Sequence, residues 1–153
     1  MTVRHIVAGV DGSENSRRAL AWAAELARAL RAELVVVHAL GLLDRLADGE
    51  PVPTAAHRDA IVEAFEHSWC APLADAGVTA RRMVRDGTPV DVLLAVAEHE
   101  EADLIVVGSR GIGNVPERIL GSTSHQLAAR SIRPVVIVPE GVGSGSTSTH
   151  GAH

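Results

Sequence analysis

The chain has 153 residues, one domain's worth, and 46% of them are hydrophobic, enough to bury a core. A formal net charge of -5, with 14 arginines and not one lysine, leaves no basic footprint for DNA or RNA. Phe65, Trp22 and Trp69 are the whole aromatic set, too few to stack bases along a nucleic acid strand. The single cysteine, Cys70, excludes an internal disulfide and suits a reducing compartment. No apolar run reaches the length of a membrane span, and the apolar stretch in MTVRHIVAGVDGS is too short for a signal peptide. The expectation is a soluble cytoplasmic protein.

Arg4 to Val10 (RHIVAGV) is an apolar run ended by Asp11-Gly12. It reads as a first strand buried on both faces, as in a parallel sheet. Ser13 is the expected N-cap of a helix over 14–31, where Ala19, Leu20, Ala23, Leu26, Ala27 and Leu30 recur at helical spacing. Leu34 to Ala39 is the second strand. The stretch 41–54 has two prolines and two glycines and reads as irregular. A helix follows over 55–76, with Ala60, Ile61, Ala64, Phe65, Ser68, Trp69 and Leu73 on one side and Pro72 expected to kink or shorten it. Val78 to Arg85 reads as a half-exposed edge strand, its arginines a solvated edge rather than an anion patch. Thr88 and Pro89 open the next helix, which carries an apolar stripe of Val90, Leu93, Leu94 and Ala97. Ala102 to Val107 is the fourth strand, 122–131 a short helix, and Pro134 to Pro139 the last strand. The Gly/Ser/Thr-rich residues 140–153, with His150 and His153, read as a disordered tail beyond a domain of 1–139.

Five strands with helices between them predict an α/β fold: a single open parallel sheet in the order 3-2-1-4-5, with helices on both faces, Rossmann-like. The winding reverses between strands one and four, so a ligand crevice is expected at their carboxyl ends. Asp11 ends the first of these strands, and Gly108 the other. From Gly108 the chain runs GSRGIGNVPERILGSTS into the next helix. Gly108, Gly111, Gly113 and Gly121 can take positive φ and admit a ligand to the backbone. Ser122, Thr123 and Ser124 stand where the helix starts, and their hydroxyls and free N–H groups suit a phosphate. This is neither a phosphate loop of the G-x-x-x-x-G-K-[ST] type nor a G-x-G-x-x-G fingerprint. An irregular connection without a ligand would also be built from such glycines.

The spacing G-x-x-G, nine residues, G-S after an apolar strand resembles the nucleotide-binding loop of the universal stress protein family, in its ATP-binding branch. VDGSENSRRAL, GTPVDVLLAVA, DLIVVGSRG and PVVIVP extend the resemblance over residues 4–139. It implies a small cytoplasmic stress-response regulator that binds ATP, and a homodimer pairing Val135 to Val138 of each copy. Carried over, Gly9, Val10, Asp11 and Val37 would line the adenosine end. Gly108, Ser109, Arg110, Gly111, Gly113 and Gly121 would shape the loop, and Ser122, Thr123 and Ser124 would hold phosphates. Asp11 is open to two roles, a turn cap or a site carboxylate holding Mg2+ or a ribose hydroxyl. His38, at the end of the second strand, is more simply a packed residue than a ligand contact. Pro116-Glu117-Arg118 departs from the family pattern and leaves the nucleotide open.

A nucleotide-dependent switch with an unidentified protein partner is the expected function. No nucleophile set, metal cluster or phosphate lysine points to an enzyme. The alternatives are a slow ATP hydrolase or nucleotidyl transferase using Asp11 and Mg2+, or an interaction module that binds another nucleotide such as cAMP.

Overall fold

A computed structural model describes residues 1–41, 49, 54–110 and 120–141. Five parallel strands form one sheet: β1 (His5–Gly9), β2 (Glu33–Ala39), β3 (Arg81–Arg85), β4 (Leu104–Gly108) and β5 (Val135–Val138). Their order is β3-β2-β1-β4-β5, as the sequence implies. β1 lies at the centre, with Ala8 opposite both Val36 of β2 and Val106 of β4.

Strand alternation divides the core into two halves. Ile6, Ala8, Leu34, Val36, Leu104 and Val106 pack on one face, under α1 (Glu14–Leu30). Val7, Val35, Val37, Ile105 and Val107 pack on the other, under α4 (Pro89–His99). A strand covered on both faces has no polar side to show, which is why these runs are continuously apolar. α1 starts at Ser13, whose side chain accepts the Ser16 N–H, and ends at Arg31 in the left-handed region, φ 55.

The expected helix over 55–76 is in fact three pieces: α2 (Ala55–Ala64), a π-helical turn (Phe65–Trp69) and α3 (Ala71–Ala76). Pro72 has no N–H and its ring opposes the carbonyl four residues back, so a regular helix cannot run through 68–72. The wider turn absorbs the mismatch. It buries Phe65 in the core, while Ala60 and Ser68, expected on the apolar side, stay exposed. β3 is an edge strand with Arg81, Arg82 and Arg85 exposed, and Arg81 pairs with Glu100. α5 (Ser122–Arg130) returns the chain to β5, the opposite edge.

Glu140, the first residue of the stretch read as a tail, contacts the domain. Arg18 Nη1 donates to the Glu140 carbonyl at 2.7 Å, and the Glu140 carboxylate pairs with Arg110. His150, His153 and the rest of 142–153 lie outside the described residues, as do most of 41–54 and all of 111–119.

Candidate functional site

The carboxyl ends of β1, β2 and β4 open onto a cleft of about 300 Å³. β1 contributes Gly9, followed by Val10 and Asp11, and β2 contributes Val37, His38 and Ala39. The far wall is Gly108, Arg110, Gly121 and the first turn of α5, Ser122 to Ser124. Two stretches about a hundred residues apart in sequence therefore meet where the winding of the sheet reverses. Gly111 and Gly113 lie outside the described residues.

Hydrogen bonds assign different work to residues that the sequence grouped together. Ser109 is absent from the cleft wall; its hydroxyl donates to Asn15 Oδ1 at 3.0 Å. Ser124 reaches the wall, but it is buried and its hydroxyl donates to the Ser109 carbonyl at 2.9 Å. The Gly121 N–H donates to that same carbonyl at 2.7 Å. Ser109, Gly121 and Ser124 thus close the neck of the loop over 110–120. That leaves Ser122 and Thr123 on the cleft, where α5 begins without a side-chain cap on its first-turn N–H groups. Such N–H groups, with the positive end of the helix dipole, suit an anion.

The glycines also act differently from the expectation. Neither Gly108 nor Gly121 has positive φ; Gly121 sits at φ -67, ψ 165. Gly108 is small because α1 crowds it: a Cβ there would lie 2.9 Å from Asn15 Cγ and 3.1 Å from the Asn15 backbone carbon. Gly12 does have positive φ, 86°.

Asp11 caps its own turn and faces the cleft. Its Oδ1 accepts the Ser13 N–H at 2.9 Å, a local turn, while the residue lines the cleft. The Asp11 N–H is itself held by Ser16 Oγ at 3.2 Å. Asn15 and Ser16 are buried at the start of α1, and the sequence reading passed over both. Two polar residues at the foot of an otherwise alanine- and leucine-rich helix were the available signal.

His38 Nδ1 lies 2.8 Å from the Val10 carbonyl, and its ring meets Trp69 edge-on, centroids 4.8 Å apart at 82°. Burial lowers its pKa from the ordinary 6.5, opposed by the Val10 carbonyl and the charge of Asp11. The neutral imidazole is the form the fold accommodates. Stability from this group is therefore fully present above 6.5 and is lost as pH falls through the lower folded value. An imidazolium beside an indole quenches its emission. Tryptophan fluorescence is accordingly expected to fall in a step centred below pH 6.5, and the step to vanish in His38→Gln. A step centred above 6.5, or one that survives the substitution, would contradict this placement.

Burial pushes the Cys70 thiol up, away from the reactive thiolate. No helix among the described residues is long and apolar enough to cross a membrane.

Comparison with known proteins agrees with this architecture. The model of the universal stress protein family matches residues 2–139. Universal stress protein YxiE of Bacillus subtilis is 32% identical over 151 residues, spanning 87% of this chain and 97% of its own. A universal stress protein of Thermus aquaticus is 35% identical over 141 residues, spanning 87% and 96%. A universal stress protein solved in complex with cAMP superposes with a TM-score of 0.72 at 30% identity, over 92% of this chain and 100% of its own. One from Archaeoglobus fulgidus, solved in complex with dAMP, gives 0.65 at 25% identity, over 90% and 99%. This chain belongs to the universal stress protein family.

Proposed function

We propose that this protein is a cytoplasmic regulator whose cleft takes an adenine nucleotide, ATP in the first reading. The observation that carries the proposal is the meeting of the β1 end, the β4 end and the uncapped start of α5 around one cleft. Gly9, Val10, Asp11 and Val37 take the adenosine end, Ser122, Thr123 and the α5 N–H groups take phosphate, and Arg110 stands beside them. Asp11 is the carboxylate available to Mg2+. Two solved relatives carry cAMP and dAMP, which supports an adenine ligand here.

The protein binds rather than turns over. Asp11 is the one carboxylate among the described wall residues, and one of its oxygens already holds a backbone N–H. Turnover would need a positioned base and charge neutralisation at the phosphates. The output is carried by a homodimer through β5, a half-buried apolar edge strand next to the exposed Ile132, with an unidentified protein partner reading the bound state. The second reading, a nucleotide with one phosphate charge such as cAMP, is favoured by a specific contact: Arg110 is already paired with Glu140.

Calorimetric titration with ATP, with and without Mg2+, and with cAMP tests the proposal, together with sedimentation of the same samples. Gly121→Val is the matched variant, because backbone angles of φ -67 and ψ 165 are open to valine. The added side chain crowds the cleft and should weaken binding by about ten- to a hundredfold, the usual penalty for overpacking. A wild-type chain that binds no adenine nucleotide would overturn the proposal.

A further inference from the structure

The chain that leaves β5 returns to the cleft. Glu140 pairs through its carboxylate with Arg110 and through its carbonyl with Arg18 Nη1, at 2.7 Å. Both ends of the Arg110–Glu140 pair are fixed by their neighbours. The Val138 carbonyl accepts the Ser109 N–H at 2.9 Å and Asn15 Nδ2 at 3.1 Å. The Arg110 N–H donates to Asn15 Oδ1 at 2.7 Å. Arg110 is only 18% exposed in its side chain, against 47% for Glu140, so the guanidinium sits inside the wall and the carboxylate reaches it from the rim.

The charges at this site are few. Among the described residues of the wall, Arg110 carries the one permanent positive charge and Asp11 the one carboxylate. Outside the wall, Glu140 touches Arg110 and Arg18 donates to the Glu140 carbonyl, one acidic and one basic group at the rim.

We propose that Glu140 is a specificity-determining residue of the cleft: its carboxylate holds the guanidinium that a ligand phosphate would otherwise use, and so it favours a ligand with one phosphate charge over a triphosphate. The inference rests on the reading of this cleft as a nucleotide site. A single phosphate charge exchanges for the carboxylate one for one and leaves Arg110 paired. Each further charge of a triphosphate then sits near a displaced Glu140 and near Asp11, with no second permanent cation in the described wall. At an effective dielectric constant of about 20 and a separation of about 7 Å, one such repulsion weakens binding roughly tenfold or more. Removing the carboxylate removes the repulsion.

The test is titration calorimetry without divalent cations, at one ionic strength, with ATP and with cAMP. The proteins are the wild-type chain, Glu140→Gln, and Glu25→Gln as a control for net charge alone. Glu25 pairs with Arg28 on the exposed side of α1. Glu140→Gln is expected to tighten ATP about tenfold or more beyond whatever it gains for cAMP, and Glu25→Gln to shift neither. Unchanged affinities in Glu140→Gln, or equal shifts for both ligands, would overturn the proposal and leave the cleft a nucleotide site. Absence of binding of either ligand by the wild-type chain would remove the nucleotide reading itself, and this inference with it.

Discussion

Asn15→Ala is expected to lower stability by about 3 kcal/mol and to weaken nucleotide binding by about a hundredfold. The side chain is buried and joins three parts of the fold. Its Oδ1 accepts from the Ser109 hydroxyl at 3.0 Å and the Arg110 N–H at 2.7 Å, and its Nδ2 donates to the Val138 carbonyl at 3.1 Å. Alanine leaves all three partners without this bond. Each net hydrogen bond contributes about 1 kcal/mol, and the Val138 carbonyl keeps the Ser109 N–H, so three lost bonds come to about 3 kcal/mol. The binding loss has a separate cause. Ser109 and Arg110 follow β4, Arg110 lines the cleft, and Asn15 fixes the direction in which they leave β4. A misplacement of about 1 Å is enough for a hundredfold effect at a positioned site. Urea unfolding reads the first quantity and calorimetry the second. Asn15→Asp discriminates further: it keeps the acceptor oxygens, loses the donor, and sets a charge against the Val138 carbonyl. It should therefore destabilise while holding the loop closer to its native path. Wild-type affinity in Asn15→Ala would mean that the loop is set elsewhere.

Asn15 also marks the boundary of what the sequence disclosed. The sheet order was legible because four strands are apolar runs, the remaining one, β3, alternates as an edge strand does, and each crossover has one allowed hand. The cleft followed from that order, since the reversal of winding falls between β1 and β4. Gly9, Val10, Asp11, Val37, Gly108, Arg110 and Gly121 to Ser124 do meet there. What a local pattern does not contain is the partner across the fold. Asn15 bonds to Val138, 123 residues on, and Ser109 turns its hydroxyl to Asn15, 94 residues back. A serine after a strand looks the same in sequence whether it faces a phosphate or an asparagine. Glu140 was hidden for the opposite reason: its neighbours Gly141 to Ser148 have the composition of an unstructured tail, and a single ion pair leaves no composition. Gly108 was read as a glycine for φ, yet it is a glycine for space, because α1 approaches β4 closely at Asn15.

Gly12 is where both reasons for glycine coincide, and Gly12→Ala is expected to lower stability by about 3 kcal/mol. Its φ of 86° is strained for a residue with a Cβ, a penalty of about 1–2 kcal/mol. The new Cβ would also lie 2.7 Å from Trp69 Cε2 and Cζ2, well inside van der Waals contact. Trp69 has little room to retreat: it meets His38 at 4.8 Å and Phe65 at 6.3 Å between ring centroids, and Phe65 is buried. Forced repacking of this kind adds about 1–3 kcal/mol. The two contributions separate in a double-mutant cycle. Trp69→Ala removes the steric contact but not the backbone strain, so Gly12→Ala in that background should lower stability by only about 1–2 kcal/mol. Equal losses in the two backgrounds would leave strain as the whole effect. The cycle also bears on the cleft. Gly12 follows Asp11, and Trp69 packs on both Gly12 and His38, so the π-helical turn presses on two of the strand ends that form the site. If that pressure positions Asp11, Trp69→Ala alone should weaken nucleotide binding about tenfold, through a residue that is not part of the cleft wall.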